Sequence, residues 1–179
     1  MKDFAVRPFA RSDLSQLMSL DHASTTDHVW QLELRRDAKA AQVSAVFREV
    51  RLPRPVHLIY PNDPSVLADE WKQKAMISTA VSGTTAVGYI ALTEPRAGVA
   101  WITDLVVAAP WRRKGVGGAL LEAARAWCIQ AEVHKIFFET QSKNHPAIML
   151  AQKHSYEFCG YNDRYYSSQD ITLYFVRLM

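Results

Sequence analysis

Apolar positions along this chain recur at two periods, and the changes from one to the other mark out its elements. "FAVRPF" alternates briefly and predicts an edge strand stopped by Pro8. Ser12 or Asp13 then stands where a helix cap belongs, ahead of Leu14, Leu17 and Met18 at helical spacing. "LDHASTTDHVW" is polar and reads as a turn region. "VWQLEL" and "VSAVFREVRL" alternate on either side of "RRDAKAAQ", which predicts a hairpin. Asp63 followed by Pro64 is a helix-start pair for "YPNDPSVLADEWKQKA". "MISTAVSGTTAVGYIALTEP" holds two alternating runs about "SGTT", a second hairpin. There follow a strand in "GVAWITDLVV", a helix in "GVGGALLEAARAWCIQAE" and a strand in "KIFFET". A helix, "HPAIMLAQKH", comes after Asn144, and a last strand lies in "ITLYFVRLM". The order predicts a mixed α/β (α+β) domain: a largely antiparallel sheet flanked by helices, with one strand–helix–strand unit.

Composition narrows this little. The 179 residues, 49% hydrophobic and 22% charged, fit one globular domain over residues 1–179. No apolar run approaches the roughly 20 residues of a membrane span. The N-terminus "MKDFAVRPFARSD" lacks the apolar centre of a signal peptide, so a cytoplasmic location is expected. Cys128 and Cys159 lie in separate segments and are expected to be reduced. The six histidines show no metal-ligand spacing, which predicts no metal. A net charge of +3 is too small to argue for nucleic acid, and no membrane or nucleic-acid partner is expected.

One joint stands apart. In "DLVVAAPWRRKGVGGALLEAARAW", Arg112, Arg113 and Lys114 meet Gly115, Gly117 and Gly118 between a predicted strand and a predicted helix. The first N–H groups of a helix have no partner within it, and with the helix dipole they favour an anion. Glycines there let a phosphate reach the backbone. A solvated basic turn is the alternative. A P-loop is excluded, because Ala119 and Leu120 follow the last glycine instead of Lys-Ser or Lys-Thr. The glycine spacing is also wrong for a dinucleotide fingerprint.

Arg112-x-x-Gly115-x-Gly117 after an apolar strand resembles the acyl-CoA-binding motif of the GNAT superfamily of acetyl-CoA-dependent N-acetyltransferases. "SKNHPAIMLAQKHSYEFCG" resembles its second cofactor motif, with Asn144, Pro146, Ala147 and Ile148 in register. Within the superfamily, "LDHASTTDHVW", "FREVRLPRPVHLIYPNDPS" and "CGYNDRYY…LYFVRLM" look like streptothricin acetyltransferases. The acidic tract those enzymes can carry is replaced here by the near-neutral "VLADEWKQKA". The resemblance implies that Leu105, Val106 and Val107 run beside the pantetheine arm, where their strand splays from its neighbour. It implies that Arg112, Arg113, Lys114, Gly115, Val116, Gly117 and Gly118 hold the pyrophosphate, with Asn144 and Ala147 at the pantetheine. Many relatives place an acid tyrosine seven residues after the asparagine. Ala151 stands there, and Tyr156 is assigned as a packing aromatic.

Attack on a thioester needs a neutral amine, and an alkyl ammonium is neutral about once in 2,500 molecules at pH 7, a handicap of roughly 4–5 kcal/mol. A nearby carboxylate offsets much of that. Glu139 ends the strand beside the cofactor strand, where the superfamily often has its base. Asp104, inside the cofactor strand, matches an acid of the streptothricin enzymes, or else pairs with a cation across the sheet. Asp21 and Asp27 fall where the acceptor wall usually forms; otherwise Asp27 caps a helix and Asp21 is solvated. The aromatics Trp30, Tyr60, Trp71, Trp101 and Trp111 read as core or rim. The expected activity is direct acetyl transfer from acetyl-CoA to a primary amine of a small cationic molecule, by a monomer or homodimer. Its rivals are a peptide or polyamine acetyltransferase and a non-catalytic acyl-CoA sensor.

Overall fold

The computed structural model describes residues 3–37, 39, 41–165 and 170–179, so part of the "RRDAKAAQ" turn and Tyr166 of the C-terminal stretch lie outside the described residues. The strands are β1 (Ala5–Pro8), β2 (Ser24–Asp37), β3 (Gln42–Leu58), β4 (Met76–Ser82), β5 (Thr85–Arg96), β6 (Val99–Val107), β7 (Lys135–Gln141), β8 (Glu157–Asn162) and β9 (Thr172–Leu178). The helices are α1 (Leu14–Met18), α2 (Val66–Glu70), α3 (Val116–Gln130) and α4 (His145–Lys153). One sheet has the order β1-β4-β5-β6-β7-β9-β8; β2 and β3 form a separate two-stranded sheet. Every pairing is antiparallel except β6 with β7, the two strands joined through α3.

The main core lies on the face of the sheet covered by α3 and α4. Val116, Leu120, Leu121, Ala124 and Cys128 form the buried stripe of α3, at helical spacing. Each fully buried leucine there contributes about 1.5–3 kcal/mol. They pack on Ile90, Leu92, Ala100, Ile102, Ile136 and Phe138 of the central strands. A smaller cluster on the opposite face joins Leu17 of α1 and Leu67 of α2 to Tyr89, Ala91 and Val106.

A bulge in β6 decides which face receives Asp104. Ile102 pairs with Leu92 but Asp104 pairs with the next residue, Ala91, so Thr103 is the extra residue. The alternation therefore changes phase: Ala100 and Ile102 face the α3 core, and so do Leu105 and Val107. Val106, and with it Asp104, face the other side. Without the bulge the carboxylate would point into the main core.

Three local expectations are corrected. The stretch read as a polar turn region becomes strand from Ser24 onward, because its hydroxyl and imidazole side chains are carried on a long hairpin that needs no second buried face. Asp13, not Ser12, stands at the N-cap of α1, but its side chain makes no hydrogen bond to that helix. Asp13 instead accepts from Ala10 N–H at 2.9 Å and from both Nη atoms of Arg7 at 2.8 Å. β8 was not expected: "EFCGYN" alternates poorly, and it forms by pairing with β9. The prolines explain an irregularity in the hairpin. Leu52 to Pro55 bow out opposite Asp27, since Pro53 and Pro55 have no N–H to offer the ladder.

Candidate active site

The site begins where β6 and β7 part. Their parallel pairing ends at Ile102 with Phe138, although β6 continues to Val107 and β7 to Gln141. On its other edge β6 stays paired with β5 as far as Gly88 with Val107. The β7-side edge of Leu105 to Val107 is thus left open to a ligand. Gly88 permits the close packing behind it: a Cβ there would lie 2.7 Å from the carbonyl oxygen of Val106.

A cleft of about 1300 Å³ fills the opening. Leu105, Val106 and Val107 line it from β6, and Asn144 and Ala147 from the start of α4. Asn144 caps that helix, accepting from Ala147 N–H at 3.3 Å, which leaves its amide nitrogen free to donate. Arg113, Gly115, Gly117 and Gly118 line the cleft at the start of α3. Gly115 caps α3 at φ +87, and the first helical bond runs from Ala119 N–H to its carbonyl at 3.0 Å. The N–H groups of Val116, Gly117 and Gly118 precede that ladder. Side chains at the glycines would crowd: a Cβ on Gly117 meets Leu150 at 3.0 Å, and one on Gly118 meets His154 at 2.8 Å.

The knot of charge is arranged differently from the sequence expectation. Arg112 lines the cleft, yet its guanidinium is committed to carbonyls: Nε donates to Val107 at 2.9 Å, and Nη2 donates to Asp21 at 3.1 Å and Ala23 at 2.6 Å. It straps the 21–23 loop to the end of β6. Lys114 places Nζ over the ring of Trp111, 5.2 Å from its centroid, and does not line the cleft. The side chain of Val116 is buried in the core. Of the three cations, Arg112 and Arg113 line the cleft, with the Arg112 guanidinium turned to the carbonyls.

Asp104 and Glu139 both line the cleft. Phe137 stacks on Trp101 at 4.6 Å, on the face away from α3, and Glu139 follows two residues later on that same face. Asp104 accepts from Tyr60 Oη at 2.5 Å and from Thr103 Oγ1 at 2.9 Å. Burial, then the charge of Asp104, hold the Tyr60 hydroxyl well above its ordinary range, so it stays a donor. His22 packs beside Tyr60, ring centroids 5.0 Å apart. Its Nδ1 lies 2.7 Å from the Leu20 carbonyl and therefore carries the proton; Nε2 sits 3.2 Å from Tyr89 Oη. Across the cleft the charge of Glu139 raises the Tyr165 hydroxyl, and burial followed by Glu139 raises that of Tyr174.

Asp21 and Asp27 are not in this constellation. Asp21 is exposed and accepts from Ala23 N–H at 3.0 Å, closing its own turn. Asp27 lies on β2, not at a helix start, and accepts from His28 Nδ1 at 2.8 Å. Tyr60, Tyr89 and Trp101 belong to the cleft, a role that aromatic content alone did not signal. Cys128 and Cys159 are free thiols.

The splay, the open β6 edge and the glycine-led helix are matched by sequence as well. Residues 43–156 match the acetyltransferase (GNAT) family model. The chain belongs to the GNAT acetyltransferase family. It is an acetyltransferase, and the donor its family uses is acetyl-CoA. Among solved structures, nourseothricin acetyltransferase is similar at 21% identity, with 98% of each chain covered and a TM-score of 0.81. A protein assigned as a streptothricin acetyltransferase of Bacillus anthracis, in complex with acetyl coenzyme A, is similar at 21% identity, 98% coverage of both chains and a TM-score of 0.80. The ribosomal-protein-S18-alanine N-acetyltransferase of Escherichia coli shares the fold at 12% identity and a TM-score of 0.70, covering 98% of this chain and 93% of its own. No curated protein sequence matches the chain. Among the described residues of this GNAT enzyme, no helix is long and apolar enough to cross a membrane.

Proposed function

We propose that this enzyme acetylates a primary amine of a small cationic molecule, with a streptothricin-type antibiotic as the leading acceptor. The observation that carries the reading is the pair of carboxylates, Asp104 and Glu139, on the open face of the splay among Trp101, Tyr60 and Tyr165. Carboxylates with aromatic faces favour an ammonium group over a neutral or anionic one. Acetyl-CoA, when bound, supplies the acetyl group as a thioester. The N–H groups that open α3, with Arg113, hold its pyrophosphate, and Asn144 donates to the pantetheine arm beside Ala147. The open edge of Leu105 to Val107 polarises the thioester carbonyl. Asp104, fixed by Tyr60 and Thr103, holds and orients the ammonium. Glu139 takes the proton from the attacking nitrogen, directly or through one water; the new bond from nitrogen to the acetyl carbon forms as the thioester C–S bond breaks, and CoA leaves as a thiolate that takes a proton from water. The two acetyltransferases named for nourseothricin and streptothricin support the choice of acceptor through likeness of fold.

The test is thiol release from acetyl-CoA against streptothricin, aminoglycosides, polyamines and peptides. Streptothricin is expected to give the highest kcat/KM, with an acceptor KM that rises with ionic strength as exposed charge pairs are screened. Turnover with peptides alone would move the assignment to a protein acetyltransferase. Acetyl-CoA binding without turnover of any amine would make the protein a sensor.

A further inference from the structure

Outside the cleft, the fold gathers a second set of chemistry-bearing side chains. His28 on β2, Glu49 on β3 and His145 at the start of α4 each bring one ligand-type atom within 4.8 Å of the others. None of them lines the acetyl-transfer cleft. Sequence spacing concealed the set, since its members come from three elements far apart in the chain.

We propose that His28, Glu49 and His145 form a binding site for a divalent transition-metal ion of the Zn²⁺ class, which clips the β2–β3 hairpin to α4. The orientation of His28 is the first support. Asp27 accepts from its Nδ1 at 2.8 Å, so Nε2 is the free ligand atom and faces Glu49 Oε1 at 4.0 Å. A carboxylate behind a ligating imidazole is the arrangement that fixes tautomer and ring orientation in metal sites. His145 Nε2 lies 3.8 Å from that same Glu49 oxygen. Both separations exceed hydrogen-bond reach. The three atoms surround a gap instead of pairing across it.

The two rings supply the second support. They are stacked with centroids 5.0 Å apart and planes 30° apart. Placed this way, both rings turn Nε2 toward the same Glu49 oxygen. His145 Nδ1 is buried and has no hydrogen-bond partner among the described residues, so no bond at that nitrogen explains the ring's position. Dimensions agree as well. With bonds of about 2.0–2.1 Å, tetrahedral ligand atoms sit roughly 3.3 Å apart, so the two separations to Glu49 must close by about half an ångström and the third, between the histidines, by at most about 1.5 Å. Glu49, 49% exposed, has room to move, and water can take the fourth position. Two carboxylates, Glu49 on the ion and Asp27 behind His28, balance a divalent charge. Trp30 N–H already donates to the Ser142 carbonyl at 2.8 Å, so the hairpin meets the approach to α4 at this point.

The test uses the full chain stripped with a chelator, dialysed, and titrated with Zn²⁺ and with Co²⁺. One Zn²⁺ is expected per chain by elemental analysis, with a rise in Tm as Zn²⁺ is added. Co²⁺ is expected to develop the visible absorption of a tetrahedral nitrogen–oxygen site. His28→Ala and Glu49→Gln should each weaken binding at least tenfold, and Asp27→Asn by about tenfold. His145→Ala should do the same; if it fails to fold, His28→Ala on the hairpin decides the matter. The proposal is overturned if the stripped protein binds no stoichiometric Zn²⁺, or if His28→Ala binds it as tightly as the parent. Acetyl-CoA affinity, measured in parallel, is independent of either outcome.

Discussion

Two tyrosines differ in what their hydroxyls meet, and they carry opposite expectations. Tyr60 donates to Asp104 inside the cleft. Removing that hydroxyl leaves the carboxylate with one donor fewer and freer to turn. Tyr60→Phe is therefore expected to lower acceptor kcat/KM about tenfold, near 1.4 kcal/mol, and to leave the acetyl-CoA KM unchanged. Equal losses in both KM values would instead indicate general damage to the cleft. Tyr156 has a buried hydroxyl with no partner among the described residues, its ring edge-on to Phe138 at 5.9 Å, and it does not line the cleft. Tyr156→Phe is expected to keep kcat within about threefold, far from the 10²–10⁴-fold contribution of a positioned acid. Relief of an unsatisfied group should leave Tm unchanged or raise it by about 2–4 °C. A hundredfold fall in kcat with acetyl-CoA binding intact would make Tyr156 the acid. Ala151, fully buried in the same core, has no room for a tyrosine in its place.

At the scale of elements, the joint between β6 and α3 has divided its labour. Glycines and free N–H groups face the cleft, while Arg112 faces backwards onto the 21–23 loop that carries His22. Lysine cannot reproduce a fork reaching three carbonyls. Arg112→Lys is accordingly expected to raise the acceptor KM at least fivefold and the acetyl-CoA KM by less than twofold. Steady-state kinetics with each substrate varied in turn separate the effects. A change confined to the acetyl-CoA KM would return Arg112 to the pyrophosphate. The bulge at Thr103 is the other device at this scale, since one added residue turns Asp104 out of the main core and into the cleft.

For the molecule as a whole, the N-terminal edge strand is tied by its ladder with β4 and by the pairing of Arg7 with Asp13. Asp13 is buried; besides Arg7 and Ala10 it accepts from Thr79 Oγ1 of β4 at 3.1 Å. The Arg7 guanidinium, ahead of the opposing cost of burial, holds its carboxyl below the usual range. A depressed carboxylate stabilises the fold at neutral pH, and that contribution is lost as pH falls from the ordinary aspartate value of about 3.9 through the folded one. Asp13→Asn should lower stability at pH 7 by about 1.5–3 kcal/mol. The gap between variant and parent should narrow on acidification below about pH 4, read by denaturant unfolding at several pH values. A gap independent of pH would mean the loss is one of packing.

Sequence alone was enough for the sheet-forming hairpins, the long α3, the helix after Asn144 and the glycine-led helix start, since each is written in local periodicity or in a residue with special backbone chemistry. It was also enough for the family. It could not say where Arg112 and Lys114 would point, because a cation next to glycines meets phosphate, carbonyl or ring according to what the tertiary fold places beside it. Asp21 and Asp27 do not line the cleft for the same reason: short polar side chains take the nearest donor, and their donors are local. The phase of Asp104 depends on pairing across β5 and β6, which no single strand encodes. The cluster of His28, Glu49 and His145 exists only once a separate hairpin packs on α4. Short-range chemistry is legible in order along the chain; convergence of distant side chains is decided by packing.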